Sequence, residues 1–92
     1  MEQRIHTFGT PLRDPDSGAV YTVEAWGRQR GDGLWEGWLE FIPTDGISFL
    51  RTGRETTQSS LDALAYWATG LEPVYLEGAF GRTSIASPCT RH

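Results

Sequence analysis

The chain has 92 residues, of which 38% are hydrophobic and 22% charged, and its formal net charge is −4. This composition excludes a disordered chain, which would combine low hydrophobicity with high net charge, and the length supports one modest core. The negative charge argues against duplex nucleic acid and anionic membranes as partners, because both attract clustered positive charge.

The sequence carries no signal for export, membrane insertion or metal binding. Its N-terminus lacks the apolar stretch of a signal peptide, and its apolar runs are far shorter than the roughly 20 residues that cross a bilayer. We therefore expect a cytoplasmic protein that does not associate with membranes. Cys89 is the single cysteine, so we expect neither an internal disulfide nor a metal site, and no cofactor.

A cluster of Asp, Pro, Ser and Gly at residues 14–18 predicts a turn that separates an N-terminal arm from the rest of the chain. We assign residues 1–18 to this arm, residues 19–81 to a single α+β domain and residues 82–92 to a disordered tail. Whether the arm adds an edge strand is left open.

Two stretches of alternating apolar and polar residues, 19–28 and 35–41, predict a β-hairpin. Residues 31–33, Gly-Asp-Gly, supply the turn, because three loop residues keep the apolar faces of the two strands matched whereas two do not. The expected pairs on the core face are Val23 with Phe41 and Ala25 with Leu39.

On the other, open face of the hairpin the same register pairs Trp26 with Trp38 and Arg28 with Glu36. Two tryptophans on an open face need a cover. Either other parts of the monomer cover them, or they contact a partner protein or a second copy of the chain. Base stacking on single-stranded nucleic acid is less favoured, because neighbouring glutamates repel phosphate.

Residues 47–52, after a turn at 43–46, predict a third strand that completes an antiparallel meander, although which of its faces points inward is left open. A helix is then predicted to start between Thr56 and Ser59, with Ser59 and Asp62 resembling a capping box, and to end near Thr69 before Gly70. Its apolar stripe consists of Leu61, Leu64, Ala65, Ala68 and Leu71.

After the helix, Pro73 blocks its continuation, and apolar residues alternate over 73–80, which predicts a fourth strand. The expected fold is therefore α+β: an antiparallel three-stranded meander, one helix packed on the sheet, then a fourth strand, in the order β-β-β-α-β. The predicted core consists of Val23, Leu39, Phe41, Leu61, Leu64, Ala65, Ala68 and Leu76.

Residues 34–41, 51–58, 66–68 and 75–79 together resemble segments of small bacterial proteins that have no assigned activity. The element order, with a Thr before the helix, is also similar to that of HicB-like antitoxin domains. That resemblance implies an antitoxin-like regulator, but it rests on fold-level analogy, and we expect these 92 residues to have no room for the extra DNA-binding segment that this family usually carries.

Catalysis is not indicated, because His6 and His92 lie at opposite ends of the chain and Cys89 lies in the tail, so no nucleophile is predicted beside a base. The leading hypothesis is a non-catalytic interaction module that binds a protein partner or forms a homodimer. Its candidate partner-binding residues are Trp26, Trp38, Arg28, Glu36 and Tyr66.

The alternative is a binder of small anionic ligands, or a minor enzyme, that uses the polar segment at the helix N-terminus. Hydroxyl, amide and guanidinium groups beside a helix N-terminus could hold a carboxylate or phosphate. The candidate ligand-binding residues are Arg54, Glu55, Thr57 and Gln58.

Overall fold

The structure, a computed structural model, describes residues 1–44, 46 and 48–86, with the backbone alone for 85 and 86. Within these residues an α+β fold combines one antiparallel sheet of seven strands with two helices. The strands are β1 (Glu2–Thr7), β2 (Leu12–Arg13), β3 (Val20–Gln29), β4 (Trp35–Pro43), β5 (Phe49–Arg51), β6 (Thr56–Gln58) and β7 (Ser84–Ala86), and the helices are α1 (Leu61–Thr69) and α2 (Pro73–Phe80).

The hairpin of β3 and β4 forms the centre of the sheet. The strand order is β1-β3-β4-β5-β7, with β2 pairing along β3 and β6 along β4. The predicted register is confirmed, since Val23 pairs with Phe41 and Trp26 with Trp38. Gly33 in the turn has φ 88°, a left-handed conformation that glycine adopts without steric cost.

Two questions that the sequence left open are settled at the flanks of this hairpin. The N-terminal arm does add a strand, because β1 pairs antiparallel with β3.

The orientation of β5 follows from its pairing with β4 on the other side of the hairpin, where Leu50 pairs with Phe41 and Arg51 with Glu40. Since neighbouring residues of a strand face opposite sides, Leu50 lies on the core side, and Phe49 and Arg51 lie on the open face. Residue 47, the predicted start of this strand, lies outside the described residues.

Helix α1 begins later than predicted. Its N-cap is Ser60, whose hydroxyl accepts a hydrogen bond of 3.1 Å from the backbone N–H of Ala63. The predicted start between Thr56 and Ser59 is wrong, because residues 56–58 pair with β4 as β6. The predicted end at Thr69, before Gly70, is confirmed.

The predicted fourth strand over 73–80 is wrong, because these residues form α2. Pro73 occupies the first turn of this helix, where a missing backbone N–H costs nothing. Leu76 and Ala79 are buried. The centroids of the Phe80 and Phe41 rings lie 5.3 Å apart, and the rings meet edge to face. The order β-β-β-α-β is therefore replaced by one with a second helix before the last strand.

The predicted disordered tail is wrong for residues 84–86, because β7 pairs antiparallel with β5. Residues 87–92, with Cys89 and His92, lie outside the described residues. Neither helix in the described part of the chain is long and apolar enough to cross a membrane.

The core lies between one face of the sheet and the two helices. Of the eight predicted core residues, six are buried, while Leu61 and Ala65 are half-buried. The buried apolar residues on this side are Val23, Ala25, Leu39, Phe41, Leu64, Ala68, Leu76 and Ala79, whereas Trp38 and Phe49 are buried on the open face.

Candidate functional site

The open face of the hairpin does not present an exposed tryptophan pair. Trp26 and Trp38 pair as predicted, but Trp38 is only 3% exposed. The Arg51 guanidinium lies 4.4 Å from the centroid of the Trp38 ring, a cation–π distance, and also contacts the Glu2 carboxylate at 3.4 Å. Glu2 and Arg51 come from strands on opposite sides of the hairpin, so the monomer itself supplies a cover for Trp38.

The polar tips of both tryptophans are satisfied by glutamates two residues away. The Trp26 indole N–H donates to Glu24 at 2.9 Å, and that of Trp38 donates to Glu40 at 3.0 Å. Glu40 is fully buried. A buried indole N–H normally needs such a partner, so this face carries an ordered polar network and not a bare apolar patch.

The other candidate partner-binding residues do not form one surface. Arg28 and Glu36 lie beside the tryptophans and form an ion pair of 2.9 Å. Tyr66 is 84% exposed, but it lies on α1. Because Leu64 of α1 packs on the core face of the hairpin, Tyr66 lies on the other side of the sheet.

The candidate ligand-binding residues are also dispersed. They do not sit at a helix N-terminus, because residues 56–58 are in β6 and α1 begins at Leu61. Arg54 and Thr57 are exposed, whereas the Gln58 amide donates to the Thr56 hydroxyl at 2.7 Å.

Glu55, the fourth of these residues, binds α2 and the segment after it. Its carboxylate accepts hydrogen bonds from the Tyr75 hydroxyl at 2.6 Å and from the Arg82 guanidinium at 2.7 Å. Burial raises the pKa of Glu55, but the hydrogen bonds from Arg82 and Tyr75 and the charge of Arg82 outweigh it and lower that pKa overall. Burial and the Glu55 carboxylate raise the pKa of Tyr75 to about 12. We call these three residues the Glu55 latch.

A groove that sequence reasoning missed runs between α2 and residues 10–16, a segment that contains β2. It has a volume of about 760 Å³. One wall is a stripe of α2 residues spaced at i, i+3, i+4 and i+7, which lie on one side of a helix. These residues are Pro73, Leu76, Glu77 and Phe80.

The facing wall, residues 10–16, contains β2 and the start of a turn that is fixed by its own side chains. The Asp14 carboxylate accepts hydrogen bonds from the backbone N–H of Asp16 at 3.0 Å and from the Ser17 hydroxyl at 2.9 Å. These bonds lower the pKa of Asp14. The sequence did indicate this turn. It did not predict the groove, because residues 73–80, which form the other wall, were predicted to be a strand.

The described residues contain no group of three or more His, Cys, Asp and Glu side chains that could hold a metal ion. Comparison of the chain with protein-family models, curated proteins and solved structures gives no match. The resemblance to HicB-like domains stays a prediction, and the element order on which it rests differs from the observed one at α2.

Proposed function

We propose that the chain is a non-catalytic interaction module that binds a peptide segment of a partner protein in the groove between residues 10–16 and α2. The observation that carries this proposal is the groove itself, about 760 Å³ on a chain of 92 residues. Binding sites in proteins commonly span roughly 300–1,000 Å³. The groove therefore has room for several side chains of a peptide.

The walls of the groove support this proposal because they are held in place before a partner arrives. Pro11, Pro15 and Pro73 line it, and proline fixes the backbone φ angle. Leu76 and Phe80 pack against the core cluster as well as lining the groove. A preformed groove loses little conformational freedom on binding, so more of the contact energy appears as affinity.

The charge around the groove favours a basic partner. Asp14, Asp16 and Glu77 line it together with one arginine, Arg13. The Arg13 guanidinium donates to the Gly18 carbonyl in the turn that follows β2. An apolar peptide with an adjacent Arg or Lys would fill the groove and pair with its acidic rim. This is the occupant that we propose.

Selection of random peptides displayed on phage tests the proposal. We expect the enriched peptides to combine aliphatic or aromatic residues with Arg or Lys. For a synthetic copy of an enriched peptide, Glu77→Arg should weaken binding about tenfold, the equivalent of about 1.4 kcal/mol, as measured by fluorescence anisotropy.

Glu72→Arg is the matched control, because Glu72 is exposed, precedes the same helix and does not line the groove. It should leave the affinity unchanged. Enrichment of acidic peptides, or equal loss of affinity in both variants, would contradict the proposal. Occupation of the groove by small apolar molecules in the absence of peptide binding would favour a small-ligand binder instead.

A further inference from the structure

A second, smaller cavity lies on the open face of the sheet, away from the groove. It has a volume of about 140 Å³, and three arginines line it together with Glu36 and Trp38. They come from different segments: Arg28 from β3, Arg51 from β5 and Arg54 from the loop that follows β5. We propose that this arginine pocket binds the phosphate group of a small molecule.

Two of the three guanidiniums are held in place and keep unused donors. Arg28 donates one hydrogen bond to Glu36 at 2.9 Å, and Arg51 donates one to Glu2 at 3.4 Å while lying on the Trp38 ring. A guanidinium has five N–H donors. Each arginine is thus positioned by one carboxylate, and most of its donors remain for a ligand.

Arg54 contributes a positive charge that no carboxylate among the described residues pairs with. It is exposed and makes no ion pair with any described residue. The loop that carries it brings a third arginine to the lining of the pocket. A phosphate group offers three terminal oxygens and accepts paired hydrogen bonds from arginine. Three guanidiniums from three segments therefore suit a phosphate better than a planar carboxylate, which offers two oxygens.

The size of the cavity agrees with one such group. At about 30 Å³ per molecule in the liquid, about 140 Å³ corresponds to four or five waters. A phosphate group with one or two waters fits this space, whereas the apolar peptide proposed for the groove does not. The two sites share no lining residue, so an experiment can disprove one proposal without affecting the other.

Titration with inorganic phosphate at constant ionic strength, followed by nuclear magnetic resonance, tests the pocket. We expect saturable shifts at the Gly53 and Arg54 amides and at the Trp38 indole N–H, with a Kd of about 1 mM or lower. Arg54→Gln should weaken phosphate binding at least fivefold, as expected for one lost charge-assisted contact. Because Arg54 has no described ion pair to lose, this variant should fold normally.

Arg4→Gln is the matched control, since Arg4 lies on the same face of the sheet, carries the same charge and does not line the pocket. It should leave phosphate affinity unchanged. Glu36→Gln should raise the affinity, because it removes a negative charge from the pocket while the glutamine carbonyl oxygen can still accept the hydrogen bond from Arg28. Equal weakening by Arg54→Gln and Arg4→Gln, no saturable shift, or equal binding of acetate would overturn the proposal.

Discussion

Leu64 contacts the sheet at the two glycines in the strands of the hairpin, Gly27 and Gly37. A Cβ atom at Gly27 would lie 2.4 Å from Leu64 Cδ2, and one at Gly37 would lie 2.6 Å from Leu64 Cδ1. Neither distance is compatible with packed carbon atoms. The two glycines therefore let α1 approach the sheet closely, and Leu64 fills the space that they leave.

This packing predicts a non-additive double-mutant cycle. Leu64→Ala should cost about 2–5 kcal/mol through a cavity, and Gly37→Ala should cost about 1–3 kcal/mol through crowding. Together they should cost less than the sum, because the new methyl group occupies space vacated by Leu64. Urea denaturation measures all three values. Gly53→Ala is the control, since nothing lies within 4 Å of a Cβ there, and strictly additive costs would contradict the packing.

Burial of Trp38 leads to a second prediction about single residues. Trp38→Ala should lower the free energy of unfolding by about 3–5 kcal/mol, because the ring is buried beneath Arg51 and its N–H bonds to buried Glu40. Trp26→Ala should cost less, since that ring is half-buried. Chemical denaturation of the two variants compares these costs. A Trp38→Ala protein as stable as the wild type would instead favour the exposed contact surface expected from alternation alone.

Among the elements, the central hairpin was predictable and α2 was not. In the hairpin, alternation, turn length and the Gly33 conformation all require one register. In α2, eight residues span just over two turns, too few for helical spacing to stand out from alternation. Pro73 is compatible both with the end of α1 followed by a strand and with the first turn of a new helix. Contacts from distant residues, such as Phe41 against Phe80, distinguish these structures, and they cannot be read from local sequence.

The Glu55 latch, which connects α2 to the loop before β6, predicts a pH dependence. The pKa of Tyr75 is raised from its ordinary value of 10.0 to about 12, so the folded state favours the protonated phenol. Its stabilisation is therefore complete below pH 10 and is lost as the pH rises from 10 to about 12. At neutral pH, Tyr75→Phe should cost about 1–2 kcal/mol through the lost hydrogen bond to a carboxylate.

Unfolding free energies of wild type and Tyr75→Phe, measured at neutral and alkaline pH, test the latch. The difference between the two proteins should shrink above pH 10. Tyr66→Phe is the matched control, because the Tyr66 side chain is largely exposed, and it should follow the wild type at every pH. A constant difference between wild type and Tyr75→Phe across this range would mean that the phenol does not depend on Glu55.

In the whole molecule, segments far apart in sequence build both the cover of Trp38 and the groove. The cover of Trp38 joins Glu2 and Arg51, which are 49 residues apart, and the groove joins residues 10–16 to α2. The sequence indicated that Trp38 needs a cover and that residues 14–18 turn. It could not indicate which distant segments meet them, because that depends on the strand order β1-β3-β4-β5-β7 and on α2 being a helix.

The strand order also predicts which part of the C-terminal region the fold needs. Because β7 pairs with β5 at residues 49–51, truncation after Thr83 should expose the edge of β5 and remove the ladder hydrogen bonds between them. Truncation after Ala86 removes only residues outside the described part of the chain and is the matched control. We expect the shorter chain to lose about 1–2 kcal/mol of unfolding free energy, using about 1 kcal/mol per hydrogen bond.

Thermal denaturation and hydrogen exchange test this prediction. The melting temperature of the shorter chain should fall by about 4–8 °C per kcal/mol, and its β5 amides should exchange faster, while the control keeps the wild-type values. Equal melting temperatures for the two truncated chains would show that β7 adds nothing to the sheet.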